Sequence, residues 1–220
     1  MKTKTILIYL LLSSVVLSAC APVAGTEPVV PTPTEKPKVS TPSAAPTTTS
    51  VATEEPKMPE QYPLSTRTGI ADVDEVLAAV ESGDAQALRD LIRFTTVGCT
   101  NADGLGGPPK CREGEAEGTP VHVLPFLGPE GSFMHQADLA SFQPMEVLGI
   151  YAVYSVSDSA YAEEASPAGE YAAMFTTAED QIFIVLQIRA GIVRIDTLFS
   201  PASRDTVIQR DATELILAPK

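Results

Sequence analysis

Gln181-Ile182-Phe183-Ile184-Val185-Leu186-Gln187-Ile188-Arg189-Ala190-Gly191-Ile192-Val193-Arg194-Ile195-Asp196-Thr197-Leu198-Phe199 is the stretch that decides the fold. Apolar residues recur at every second position on both sides of Ala190-Gly191. Two alternating runs joined by the short Ala190-Gly191 pair predict an antiparallel hairpin. A two-residue turn sets Ile188 opposite Val193, Leu186 opposite Ile195, Ile184 opposite Thr197 and Ile182 opposite Phe199, a face expected in the core. The reverse face carries Phe183, Val185, Gln187, Arg189, Ile192, Arg194, Asp196 and Leu198. That mixture suits solvent, an interface or the lining of a pocket, so Gln187, Arg194 and Asp196 are a candidate ligand face.

Three further strands precede the hairpin. Val147–Val156 is apolar on both faces, as an interior strand is. Glu170–Thr177 is another strand, and Val121–Leu127 a third, closed by a Gly128-Pro129-Glu130-Gly131 turn. Before the strands, Val73, Val76, Leu77 and Val80 fall at helical spacing, with Asp72, Asp74 and Glu75 at the start of the helix, where its macrodipole favours acids. Gly83 ends that helix, and Asp84 caps a second carrying Leu88, Leu91 and Ile92. The expected fold is α+β, with two N-terminal helices packed on a curved, mainly antiparallel sheet. The opening Val76-Leu77-Ala78-Ala79-Val80-Glu81-Ser82-Gly83-Asp84-Ala85-Gln86-Ala87-Leu88 resembles the helix–Gly-Asp–helix start of the NTF2-like (cystatin-like cone) superfamily. That resemblance implies a cone-shaped fold that hosts enzymes, ligand pockets and interaction domains alike.

Upstream of this 69–220 domain the composition changes. Ten of the chain's 19 prolines lie between Ala21 and Thr68, among Thr, Ser and Ala. Such a segment buries too little apolar surface to offset its ordering entropy, so residues 20–68 are expected to form a disordered Pro/Thr-rich linker. Residues 1–19 have the layout of an export signal: Lys2 and Lys4, then a 12-residue uncharged run from Ile6 to Leu17, then small residues. A bilayer-spanning helix needs about 20 apolar residues. Leu17-Ser18-Ala19-Cys20 resembles the lipobox of bacterial lipoproteins. The resemblance implies that Cys20 is lipidated, with acyl chains such as palmitate, and becomes the mature N-terminus. The expected location is the cell membrane or outer membrane, lipid-anchored, with the domain on the extracytoplasmic side.

The chain's net charge is −13, and the stretch from Arg67 onward holds 10 basic and 23 acidic residues, which accounts for all of it. Nucleic acid is excluded as a partner, because its affinity comes from Lys and Arg on phosphates. Cys99 and Cys111, an even pair in an exported chain, are expected to form a disulfide across a glycine-rich loop. There is no G-x-S-x-G, HExxH, P-loop or dinucleotide glycine motif. His122 and His135 are the only histidines, and a pairing of His135 with Asp138 or Ser141 rests on sequence proximity alone. Asp103, Glu113, Glu115 and Glu117 are weak candidates for a calcium site, and a solvated acidic loop is the simpler reading. Tyr151, Tyr154, Tyr161 and Tyr171 read as core and rim aromatics. These observations predict no cofactor and a non-enzymatic binding or interaction domain displayed on a stalk at the envelope, its partner an envelope protein, a polymer or a small ligand. The rivals are an envelope hydrolase with a carboxylate/His site and a structural or assembly lipoprotein.

Overall fold

The structure is a computed structural model, and it describes residues 60–128, 131–179 and 181–220. Cys20, the signal segment and the linker up to residue 59 lie outside the described residues, as do two residues of the 128–131 turn. The chain divides into units 1–52 and 53–220, and the second is described here.

Helix α1 spans Ala71–Ser82 and α2 Ala85–Leu91. Gly83 stops α1 in the left-handed region at φ 65°, its N–H returning to the Val80 carbonyl, and the Asp84 carboxylate receives the Gln86 N–H at the start of α2. Ile70 offers no side-chain cap to α1. Instead Asp74 reaches back to accept from the Thr68 N–H and hydroxyl and the Gly69 N–H.

Eight strands form one mixed sheet: β1 Thr95–Gly98, β2 Pro120–Leu127, β3 Ser132–His135, β4 Gly149–Val156, β5 Tyr171–Thr176, β6 Phe183–Ile188, β7 Ile192–Leu198 and β8 Ala212–Leu217. Their order is β1-β2-β7-β6-β5-β4-β8, with β3 paired to β2. The β2–β7 pair, Phe126 with Ile195 and Leu127 with Asp196, is parallel. The architecture is broadly α+β. A third helix, α3 Pro201–Asp211, starts at a Ser200 cap and runs directly into β8. No helix among the described residues is long and apolar enough to cross a membrane.

Both faces of the central strands are covered. One packs Ile150, Phe175, Ile184, Leu186 and Ile195 with Val73, Val76, Leu77, Leu88 and Leu91 of the first two helices. The other packs Tyr151, Tyr154, Met174, Phe183 and Val185 beneath Val207 and Ile208 of α3. Little of α3 is apolar, and it adds a charged contact: the Arg204 guanidinium lies 4.5 Å from the Tyr151 ring centroid and 5.0 Å from that of Phe183. The expected mixed face of the hairpin is therefore interior where Phe183 and Val185 stand.

Two expectations need correction. The hairpin turn has three residues, because Ile188 pairs with Ile192 rather than Val193, and Val193 becomes a bulge. Leu186 with Ile195 and Ile184 with Thr197 keep the expected register. The extra residue turns Ile192 into the helix-covered core. The turn is held by the end of α2: Arg93 donates its N–H to Ile192 O and its Nε–H to Ala190 O, and a Cβ on Gly191 would stand 2.3 Å from Leu91 O. The second correction concerns the domain start. Tyr62 exchanges both backbone hydrogen bonds with Ile150, at 2.8 and 2.9 Å, so the fold begins several residues before 69.

Candidate functional site

A groove of about 640 Å³ opens where β1, the end of β2 and the start of β3 meet two loops. Its floor is apolar: Val97, Leu127 and Phe133, with Ala165 beside them. Val97 and Phe133 belong to a small cluster with Val121, Val123 and Cys99, buried by the in-out alternation of β1 and β2.

One wall is the loop between Cys99 and Cys111, through Gly106, Gly107 and Pro108. Cys99 and Cys111 are disulfide-bonded, with Cα atoms 4.9 Å apart, and the bridge packs into the floor cluster. The loop base is closed by Thr100 N–H to Pro109 O and Cys111 N–H to Thr100 O. Glu117 accepts from the Asn101 N–H at 2.6 Å and the Thr100 hydroxyl at 2.9 Å. Those two donors, helped by Lys110 and against a smaller effect of burial, hold the Glu117 carboxyl below its usual pKa. Leu105 at the loop tip is 76% exposed.

The opposite wall is the 157–170 loop, which brings Tyr161, Glu163 and Glu164 to the rim. Glu163 and Ser166 exchange backbone hydrogen bonds at 3.0 and 3.1 Å, which makes a tight turn of the acidic pair. Burial first, then a hydrogen bond and charge from Glu163, raise the Tyr161 phenol, against the pull of Arg194.

Gln187, Arg194 and Asp196 sit beneath this loop. Gln187 is fully buried and Arg194 2% exposed, and none of the three lines the groove. The Arg194 guanidinium reaches the carbonyls of Tyr161, Ser166 and Pro167 at 2.8, 3.2 and 3.3 Å. Its Nη2 donates to Asp196 Oδ2 at 3.1 Å, and its Nε faces Oδ1 at 2.8 Å as an ion pair outside hydrogen-bonding angles. Gln187 donates to Asp196 and accepts the Gly169 N–H. A Cβ on Gly169 would stand 2.5 Å from the Ile188 nitrogen, so the loop crosses the sheet at a distance only glycine permits. Burial raises the Asp196 carboxyl, and the Arg194 charge and the Arg194 and Gln187 hydrogen bonds oppose the rise without cancelling it. The expected ligand face is thus an internal clamp on the groove wall. Its donors are spent on loop carbonyls that no sequence pattern brings into view.

The histidines stand elsewhere, in a shallower depression with Arg112 and Glu115. His122 Nδ1 meets the Thr96 hydroxyl at 2.7 Å, and His135 Nε2 is 3.1 Å from Lys110 O. Asp138 pairs with Arg112, and the Ser141 hydroxyl donates to Asp138 O, so neither forms a relay with His135. Glu115 accepts the Arg112 N–H at 2.8 Å. Among the described residues the group of potential metal ligands is Cys99, Cys111 and Glu115, and its two sulfurs are consumed by the disulfide. Asp103 and Glu113 are exposed. The signal that points to the groove is the glycine-rich loop between two cysteines. Its floor residues, spread over three strands, share no spacing.

No protein-family profile, curated protein or solved structure matches the chain.

Proposed function

We propose that this chain is an exported lipoprotein, attached to a membrane through acylated Cys20, with a Pro/Thr-rich linker and then the domain as a binding module. The observation that carries the binding reading is the groove with both walls fixed in advance. A disulfide secures one, and a buried guanidinium gripping three carbonyls secures the other. Walls held this way lose little freedom when a ligand enters, so more of the contact energy becomes affinity. A tether raises the local concentration of the domain at the envelope, so modest affinity suffices. The helix–Gly-Asp–helix opening with Asp84 as cap supports a likeness to the NTF2-like folds, from which the Cys99–Cys111 insert departs.

The test is a photo-crosslinking residue at Ala165 in the groove, with Leu148, exposed on another part of the surface, as control. In membranes of the producing cell, a discrete adduct from position 165 and none from 148 is expected. No adduct from 165, or turnover of envelope material abolished by a single substitution, would contradict the reading.

A further inference from the structure

We infer that the groove takes an extended polypeptide segment bearing lysine or arginine, with cationic heads on Glu163 and Glu164 and apolar parts on the Val97–Phe133 floor. This rests on the reading of the groove as a binding site and names its ligand. Glu163 and Glu164 are exposed at the rim, and among the described residues neither enters an ion pair. Among the described residues no basic side chain lines the groove. The Arg194 guanidinium beneath the loop is buried and paired with Asp196. The rim therefore holds unspent negative charge over an apolar floor. Lysine and arginine satisfy both at once, because their methylene stems lie on apolar surface while the heads stay with carboxylates and water.

Size separates a polypeptide from a small cation. The turn at Glu163–Ser166 is a ridge, and a second groove of about 640 Å³ lies across it, sharing both glutamates and adding Asp158 and Glu170. Among the described residues its basic lining residue is Arg189, which lies 3.8 Å from Glu170. A single ammonium group fills a small part of this space, since a water molecule occupies roughly 30 Å³ of liquid. A segment of several residues spans the ridge and uses the carboxylates on both sides. The domain's acidic excess steers a basic chain toward it and repels an acidic one.

The test uses the full chain in detergent and fluorescence anisotropy with three labelled peptides, alternating Lys/Val, Ser/Val and Glu/Val. The Lys/Val peptide is expected to bind best, with affinity falling as salt rises. The double substitution Glu163→Gln, Glu164→Gln, isosteric and on exposed side chains, should weaken it about fivefold with an unchanged circular dichroism spectrum. Equal binding of the Ser/Val peptide, or no effect of the double substitution, would overturn the inference. Displacement of the peptide by equimolar spermine would overturn it in favour of a small polyamine. An adduct at position 165 without Lys/Val binding would remove the ligand class alone. Loss of both would remove the groove reading with it.

Discussion

Asp74 shows how much of the helix start depends on one carboxylate. Burial raises its pKa, but hydrogen bonds from Thr68 and Gly69, with Arg67 nearby, outweigh that and hold it below its ordinary value of 3.8. A carboxyl depressed in the native state contributes stability that is fully present above its unfolded pKa and lost as pH falls through the native one. Asp74→Asn should therefore cost about 1 kcal/mol in denaturant unfolding at neutral pH, and the gap to the parent chain should close on acidification below pH 3.8. Arg194 and Asp196 set a larger stake, because each is buried against the other. Asp196→Ala leaves a guanidinium uncompensated and should cost about 3 kcal/mol or more. A cycle with Arg194→Met should be strongly non-additive, since the second change removes the stranded charge. In the sequence these residues were visible as alternate positions on one strand face. Their burial was not, because the groups they satisfy are backbone carbonyls 27 to 33 residues away.

Among the elements, the two helices and the β6–β7 hairpin were legible from their period, and β2, β4 and β5 as apolar runs between turn signals. Strands β1 and β3, with four residues each, are too short to display either. Helix α3 was illegible for a different reason: it docks through Val207, Ile208 and the Arg204 guanidinium, so its hydrophobic stripe is almost absent. Its Ser200-Pro201 start was a readable signal, a capping hydroxyl before a proline at the first helical position. The hairpin turn is one residue longer than the Ala190-Gly191 pair predicts, and its contacts with Leu91 and Arg93 at the end of α2 are not visible in the local pattern. The 99–111 loop was legible in its cysteines but not in its role as a wall. Replacing both cysteines by serine should lower unfolding stability by about 3 kcal/mol, the cost of leaving so short a loop open in the unfolded chain. It should also reduce the Ala165 adduct, since the wall then moves. Undiminished crosslinking by the serine variant would show that the bridge serves stability alone.

The whole molecule as proposed joins an acidic domain bearing a groove to a membrane anchor at Cys20. The two parts are physically consistent. An acidic domain is repelled by anionic lipid headgroups, which suits display away from the lipid surface. Neither part identifies the other: the groove would serve a free protein equally well, and the anchor would serve any cargo. The envelope reading therefore stands on the chemistry at Cys20. Intact-mass and peptide mass spectrometry of the protein extracted from membranes tests this most directly. The expected result is a mature chain that begins at Cys20 and carries the added mass of two or more acyl chains. A mature chain that begins elsewhere, or that begins at Cys20 with a free thiol and free amine, would contradict it.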